Sequence, residues 1–385
     1  MPKHSPFGPS ASSRWINCPG SINAIQHALD AGIIEPSKGS IYTAEGTAAH
    51  ELGEDALNGE RIDAFIGTVI EVDEMFAIEI TREMVDYVQV YVDYVRTHKG
   101  DLRVEQRVEF TDWVPDGFGT ADAIVIQETR MVCVDLKYGK GVPVYAEGNT
   151  QAMLYALGAY QGLSKAEQDK LESVLMVIVQ PRLDSISEWE ISIVDLLKHA
   201  ERFSHAAHAA LEPDAPLVPG DAQCQWCPVK AVCPALKALT EEAILAEFDD
   251  LEELGPVNLL SDDALRFALE NSKLIKSWLD AVEKQVKSRL ENGERFEGFK
   301  LVAGRSSRRW TDEDEATETL SMILGDGAFV TKTLSPAQAE KVIGKKMWPE
   351  FKCLVTKSPG RPTIAPESDK REAINITVDD FELLT

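Results

Sequence analysis

The spacing of hydrophobic and polar positions along this 385-residue chain changes near residue 100. Before it, from about Ser21 to His98, apolar residues recur mainly at helical intervals, and residues 80–94 predict a strongly amphipathic helix. After it, shorter apolar runs alternate with turn residues, which is typical of strands. The pattern therefore predicts a helical first part, followed by a sheet that begins near residue 102.

Five strands are predicted for this sheet. Three form a meander at residues 102–110, 119–127 and 131–136, and a helix follows at 149–162. Two more strands lie at 174–180 and 189–194, before a helix that runs through His199 and Ala210. This order predicts an α/β protein with a mixed central β-sheet flanked by helices.

The C-terminal part follows a cysteine-rich run and an acidic connector. We place the boundary near Thr240, which gives a first domain at 1–240 and an accessory α+β domain at 241–385, whose role the sequence does not suggest. Residues 261–291 predict one long helix, because a serine precedes acidic first-turn residues and apolar positions at helical spacing. Residues 296–302 predict a strand.

Charge and composition narrow the possible functions. The net charge is −25, from 39 Lys and Arg against 64 Asp and Glu, which argues against a protein that coats nucleic acid by neutralising its phosphates. A local basic channel remains compatible with this total, and clustered carboxylates can hold divalent cations. The chain has no apolar run of about 18 residues and no signal-peptide core, so we expect a cytoplasmic protein without a membrane partner.

Four of the six cysteines are spaced as ligands of one metal site. These are Cys18, Cys224, Cys227 and Cys233. Thiolates suit iron–sulfur clusters or zinc, and a reducing compartment favours such use over disulfides. A group bound from both ends of this interval would close a very long loop. We expect a structural iron–sulfur cluster, with structural zinc as the alternative, and we expect Cys133 and Cys353 to be small buried side chains.

Two neighbouring strands carry the residues best suited to chemistry. Strand alternation places Asp135 and Lys137 on one face, and Asp122 can lie beside Asp135 if the strands pair. Two carboxylates so placed can share a hard divalent cation, which polarises a phosphate oxygen and lowers the pKa of an attacking water. Lys137 would stabilise the developing charge or orient the water.

Flanking helices offer further site residues. His50 leads into a predicted helix, and its imidazole could supply another metal ligand. Gln151 and Tyr155 lie four residues apart on one helical face, where an amide and a phenol could contact a nucleic-acid backbone or the lysine.

The order of these motifs resembles a known nuclease family. His50, Gly119-x-x-Asp122, Asp135-x-Lys137 and Gln151-x-x-x-Tyr155, enclosed by the four cysteines, are similar to the RecB-like branch of the PD-(D/E)XK nucleases. More narrowly they resemble its iron–sulfur subgroup, with the CRISPR-associated exonucleases and the AddB-type nuclease domains. The resemblance covers about residues 10–235, and motifs in the C-terminal tail resemble a phage- and prophage-borne family of such nucleases.

The resemblance implies a fold and a set of roles. The fold would be a restriction-endonuclease-like core, stapled by a 4Fe–4S cluster on Cys18, Cys224, Cys227 and Cys233. It implies that Mg²⁺ or Mn²⁺ is held by His50, Asp122, Asp135 and the backbone carbonyl of Leu136. Lys137 would be catalytic, with Gln151 and Tyr155 as supporting site residues. Either Glu105 or Glu109 would occupy the family's preceding acidic position, and the sequence does not choose between them.

The implied function is that of a metal-dependent deoxyribonuclease, an exonuclease of phage DNA recombination, replication or repair. Its substrate would be single-stranded DNA or duplex ends in a bacterial host, with phage replication or recombination proteins as possible partners. The alternative is a non-catalytic DNA-binding or scaffold protein that keeps the fold and recruits those partners. The acidic composition favours the alternative, and the intact catalytic residues argue against it.

Overall fold

The computed structural model describes residues 5–36, 39–245, 262–300 and 313–324, together with 302, 339, 344, 347–351 and 354. The chain forms two compact units, Met1–Leu301 and Val302–Thr385. The first unit extends past Thr240, where we placed the domain boundary, because a long helix packs on the cysteine-rich segment through Leu274. That the C-terminal part is an accessory domain stays a prediction.

Ten α-helices and seven strands are described in the first unit. The helices are α1 (Ser12–Asn17), α2 (Ser21–Asp30), α3 (Ile41–Leu57), α4 (Arg82–Thr97), α5 (Thr150–Gln161), α6 (Lys165–Gln168), α7 (Ile193–Leu211), α8 (Asp221–Cys224), α9 (Pro234–Leu245) and α10 (Asp262–Glu291). The strands are β1 (Val69–Glu71), β2 (Ala77–Glu79), β3 (Asp101–Glu109), β4 (Phe118–Ile126), β5 (Arg130–Leu136), β6 (Ser173–Gln180) and β7 (Ser185–Ser192). The second unit contributes α11 (Glu313–Leu324) and α12 (Trp348–Phe351).

Side-chain caps define the starts of several helices. Ser40, Thr81, Asn149 and Ser192 each accept a hydrogen bond from the backbone N–H three residues on, which satisfies a donor that the first turn leaves free.

No helix among the described residues is both long and apolar enough to cross a membrane.

The central sheet confirms the prediction of a mixed α/β architecture. Its strand order is β3-β4-β5-β6-β7. The first three strands form an antiparallel meander, β5 and β6 are parallel, and β7 is antiparallel to β6. The parallel pair is joined by a connection that contains α5, as such pairs require. This connection starts directly behind the strand end that carries Asp135 and Lys137.

Two hydrophobic layers cover the two faces of the sheet. Met131 and Cys133 of β5 belong to the core cluster that includes α5 and α7. Val132, Val134 and Leu136 belong to the cluster that includes α3 and α4. Because β5 is buried on both faces, its sequence reads as a continuous apolar run. Asp135 is therefore a buried acid within an apolar strand, and Lys137 follows directly after the strand ends.

Some sequence predictions need correction. The stretch read as mainly helical contains the β1–β2 hairpin, whose three-residue strands are too short to give a periodic signal. The predicted strand 189–194 begins at Ser185 and ends at Ser192, because this serine caps α7 and turns the next two residues into helix. The predicted strand 296–302 is wrong over its described residues, where Phe296 and Phe299 form one isolated bridge across a turn. Cys353 lies outside the described residues.

Two Gly→Ala substitutions should have opposite effects on the stability of this fold. A Cβ at Gly158 of α5 would lie 2.8 Å from the Cβ of Val108 on β3, so helix and strand would have to separate. We expect G158A to lower the free energy of unfolding by about 1–2 kcal/mol, because overpacking outweighs the better helix propensity of alanine. A Cβ added at Gly46 of α3 meets open space. G46A should therefore raise the free energy of unfolding by about 0.5–1 kcal/mol, because alanine has the better helix propensity. Urea unfolding of both variants tests this, and equal effects would contradict it.

Candidate metal centre and thiol site

Three carboxylates lie in one row across three neighbouring strands. The β3–β4 register pairs Val104 with Ala123 and Gln106 with Ala121, so Glu105 is opposite Asp122. The β4–β5 register pairs Ala123 with Val134, and its continuation places Asp122 opposite Asp135. Both aspartates are buried. Since buried like charges repel one another, this row favours a bound cation.

Glu105 lies in this row, and Glu109 does not join it. The backbone of Glu105 has a φ of 44°, a left-handed conformation that costs a non-glycine residue of order 1 kcal/mol or more. Its Oε1 lies 3.8 Å from Nδ1 of His50. Glu109 is exposed, and its Oε1 lies 3.6 Å from Nε of Arg107. The structure thus separates the two glutamates that the sequence left as equivalent candidates, and it places strained backbone at the site.

His50 approaches the row from α3. Its Nδ1 lies 3.3 Å from Oδ1 of Asp122. Ligand atoms of His50, Glu105 and Asp122 all lie within 4.8 Å of one another, and no other such group of His, Cys, Asp or Glu occurs in the part of the chain that the structure describes. The other oxygen of Asp122, Oδ2, accepts a hydrogen bond of 2.7 Å from the backbone N–H of Leu136, which fixes the carboxylate.

The charge on His50 follows from these neighbours. Burial disfavours the imidazolium, but Asp122, Glu105 and Asp135 outweigh it and raise the pKa of His50 to about 10. In the metal-free protein the protonated ring therefore supplies a positive charge among the acids. A bound divalent cation would replace this proton, because a histidine ligand must be neutral.

Asp135 and Lys137 form a close pair beside this group. Nζ of Lys137 donates a 3.0 Å hydrogen bond to Oδ1 of Asp135. It also lies 2.7 Å from Oδ2, but the geometry of this second contact is not that of a hydrogen bond. Burial raises the pKa of Asp135 and outweighs the opposite effect of Lys137. Burial disfavours the Lys137 ammonium, but Asp135 and Asp122 raise its pKa overall, so the lysine stays cationic. The geometry brings the predicted acid and lysine together, as strand alternation requires.

Gln151 and Tyr155 of α5 contact each other near these acids. Nε2 of Gln151 donates a 3.1 Å hydrogen bond to the phenol oxygen of Tyr155. Burial, and then Asp135, raises the pKa of Tyr155, so its phenol stays protonated. A Cβ at Gly119 would lie 3.0 Å from the Tyr155 ring and 2.8 Å from Pro9. The glycine of the Gly-x-x-Asp motif thus allows the close approach of this ring to β4.

Sequence reasoning missed Tyr91 of α4. This buried side chain has a pKa raised well above its usual value by burial, and then by Asp122, Glu105 and Asp135. It also packs against Gly53 of α3, where an added Cβ would lie 3.3 Å from its ring. Tyr91 occupies an ordinary apolar position in the helical pattern, so no sequence signal marks it.

The four predicted thiol ligands line one small cavity. Cys18 comes from the end of α1, and the other three are Cys224, Cys227 and Cys233, so the cavity joins the two ends of the interval. The backbone N–H of Val218 lies 3.3 Å from Sγ of Cys18, and that of Gly220 lies 3.5 Å from Sγ of Cys224. Such donors stabilise thiolates or their complexes. By contrast, Cys133 is buried in the core, where burial raises its pKa to about 12.

Comparison with known proteins gives one family and a weak structural similarity. The profile of DUF2800, described as a protein of unknown function, matches residues 4–372. Among solved structures, the crystal structure of SSO0001 is 15% identical over 55% of this chain and 94% of its own, with a TM-score of 0.24.

Proposed function

The chain belongs to the DUF2800 family, whose function is unknown, and we propose that it is a metal-dependent nuclease that hydrolyses phosphodiester bonds in DNA. The observation that carries this proposal is the convergence of His50, Glu105 and Asp122 within 4.8 Å, with the Asp135–Lys137 pair beside them. The full motif set fits a RecB-like PD-(D/E)XK nuclease with a restriction-endonuclease-like core.

The residues present suit Mg²⁺ or Mn²⁺. Asp122 and Asp135 would hold the ion together with His50 and the Leu136 carbonyl, and Glu105 adds an acid that the sequence left open. When bound, such an ion polarises a phosphate oxygen and lowers the pKa of an attacking water. Lys137, held by Asp135, would orient that water or stabilise negative charge on the phosphate. Gln151 and Tyr155 would position Lys137 or contact the DNA backbone.

The thiol cavity supports a metal group held by all four cysteines. Cys18, Cys224, Cys227 and Cys233 line it together, although Cys18 lies far from the others in the sequence. Four thiolates suit either a 4Fe–4S cluster or zinc. The resemblance to the iron–sulfur subgroup of RecB-like nucleases favours the cluster. We propose that it staples Cys18 to the downstream cysteines and has a structural role.

A second candidate is a scaffold that keeps this fold without cleaving DNA and recruits replication or recombination proteins. The net charge of −25 favours it. Against it, the chain keeps the acid and the lysine to which the nuclease resemblance assigns catalysis, and Nζ of Lys137 lies 3.0 Å from Oδ1 of Asp135. We favour the nuclease, acting as an exonuclease in phage DNA recombination, replication or repair in the bacterial cytoplasm.

The direct test uses full-length protein purified without air, with Mn²⁺ and end-labelled DNA. We expect labelled single strands or duplex ends to be degraded, circular duplex to stay intact, and EDTA to stop the reaction. Omission of metal and heat-treated protein serve as controls. DNA that stays uncut with Mg²⁺, Mn²⁺ and other divalent ions, while a partner protein co-purifies, would establish the scaffold instead.

A further inference from the structure

The loop from residue 138 to residue 149 joins the two elements that carry the proposed catalytic groups. It starts after Lys137 at the end of β5 and leads into α5, which carries Gln151 and Tyr155. Within it, the side chain of Tyr145 is 63% exposed. An exposed tyrosine alone is unremarkable in a surface loop. The backbone around it, however, is held by side chains of the central sheet.

Gln180, the last residue of β6, holds the first half of this loop. Its side chain is buried, with 2% of the residue exposed. Its Nε2 donates to the carbonyls of Gly139, at 2.7 Å, and Val142, at 2.9 Å, and its Oε1 accepts from the N–H of Val144, at 3.0 Å. Both the amide nitrogen and the amide oxygen of this buried side chain are thus bonded to the loop. If the loop changed its conformation, these buried groups would lose their hydrogen bonds, which would cost free energy.

The second half of the loop is held in the same way. Oγ of Ser187 on β7 accepts a 2.9 Å hydrogen bond from the N–H of Ala146. The amide of Asn149 donates to the carbonyl of Tyr145 at 3.1 Å, while its oxygen caps α5. The backbone is therefore held before, at and after Tyr145. A fixed backbone that presents an exposed ring lowers the entropy cost of binding a flat ligand.

We infer that this loop is a preformed platform for single-stranded DNA, on which Tyr145 stacks against an unpaired base and Gln180 acts as a positioning residue. The inference rests on the proposed function, whose site lies at both ends of the loop, and it specifies the substrate. Aromatic side chains bind single strands by stacking on bases of any sequence. Bases inside a duplex are already stacked on both faces, so the platform favours an unpaired strand. The exposed Lys140 in the same loop can meet a phosphate.

The test measures binding separately from cleavage. Fluorescence anisotropy gives the Kd of the full-length protein for a labelled oligothymidine strand and for a blunt hairpin duplex, with Ca²⁺ replacing Mn²⁺. We expect Y145A to weaken strand binding about tenfold and to change hairpin binding less than twofold. Y145F, which keeps the ring, should retain the affinity. F299A, which removes an exposed aromatic side chain outside the loop, is the matched control and should have no effect.

Gln180 needs a readout that a merely structural role would not change. Q180L keeps the side-chain size and removes all three hydrogen bonds to the loop. We expect amide exchange at Val144, which Gln180 holds directly, and at Ala146 to become at least tenfold faster. Strand affinity should fall as in Y145A, and exchange in the central sheet should stay unchanged. Global destabilisation would raise exchange throughout the sheet and would overturn the positioning role.

The results distinguish this inference from the nuclease proposal. If the protein cuts DNA but Y145A binds the strand as wild type does, the platform is wrong and the nuclease proposal stands. If no DNA is cut, yet strand binding depends on Tyr145, the platform stands and catalysis is refuted. Tighter binding to the hairpin than to the strand would overturn the platform. Circular dichroism and thermal melting show whether each variant is folded before its Kd is interpreted.

Discussion

Replacing Asp135 with asparagine should reduce Mn²⁺-dependent DNA cleavage by roughly a thousandfold or more, the largest effect that we expect from one substitution. Asparagine keeps the size of the side chain and removes the charge that lies opposite Asp122 and 3.0 Å from Lys137. The cation would lose a ligand, and the lysine would lose the group that holds it. K137A should cause a loss of similar order, because both residues act on the same phosphate.

Glu105 and Glu109 provide matched variants for this experiment. Both lie on β3, four residues apart, but only Glu105 lies beside His50. E105Q should therefore reduce cleavage and weaken Mn²⁺ binding, whereas E109Q should leave both unchanged. Cleavage rates at saturating DNA, Mn²⁺ titration by calorimetry and melting temperatures together check this. Wild-type cleavage by folded D135N would refute the metal centre, and equal losses in E105Q and E109Q would refute the role of Glu105.

Replacing Cys227 with serine should remove the bound iron and strongly destabilise the first unit. Cys18 and Cys224 enclose a loop of about 200 residues. Cross-linking the ends of such a loop lowers the entropy of the unfolded chain and so stabilises the fold by about 5 kcal/mol. We expect C227S to lose the brown colour and the visible absorption band, and to melt well below wild type. Iron and zinc analysis of the same samples identifies the bound metal.

Cys133 is the matched control for this substitution. C133A also removes a buried thiol, but its side chain lies in the core beneath the sheet and does not line the cavity. It should lose some stability through the small cavity that it creates and should keep its iron in full. Wild-type protein that contains stoichiometric zinc and no iron would overturn the cluster. Full iron in C227S would show that the four thiols do not act as one ligand set.

Much of the candidate site could be predicted from sequence, because its parts are local. Alternation along β5 was enough to place Asp135 and Lys137 together, and helical spacing placed Gln151 beside Tyr155. Other parts could not be found in this way. Glu105 and Glu109 are chemically identical and lie on one strand, and only the register across β4 separates them. Gln180 is one polar residue at the end of an apolar run, and only its contacts reveal its importance.

The sequence by itself determined the existence of the five strands of the central sheet, the helices α4, α5, α7 and α10, and the residue types able to hold a hard cation and a thiol-bound metal. These follow from local periodicity, side-chain chemistry and spacing, which need no knowledge of distant neighbours. Only the tertiary structure decided that β5 and β6 run parallel, that Glu105 joins His50 and Asp122, and that Gln180 holds the loop carrying Tyr145. Such contacts depend on strand register and on the packing of α3 and α5 against the sheet, which local sequence does not encode.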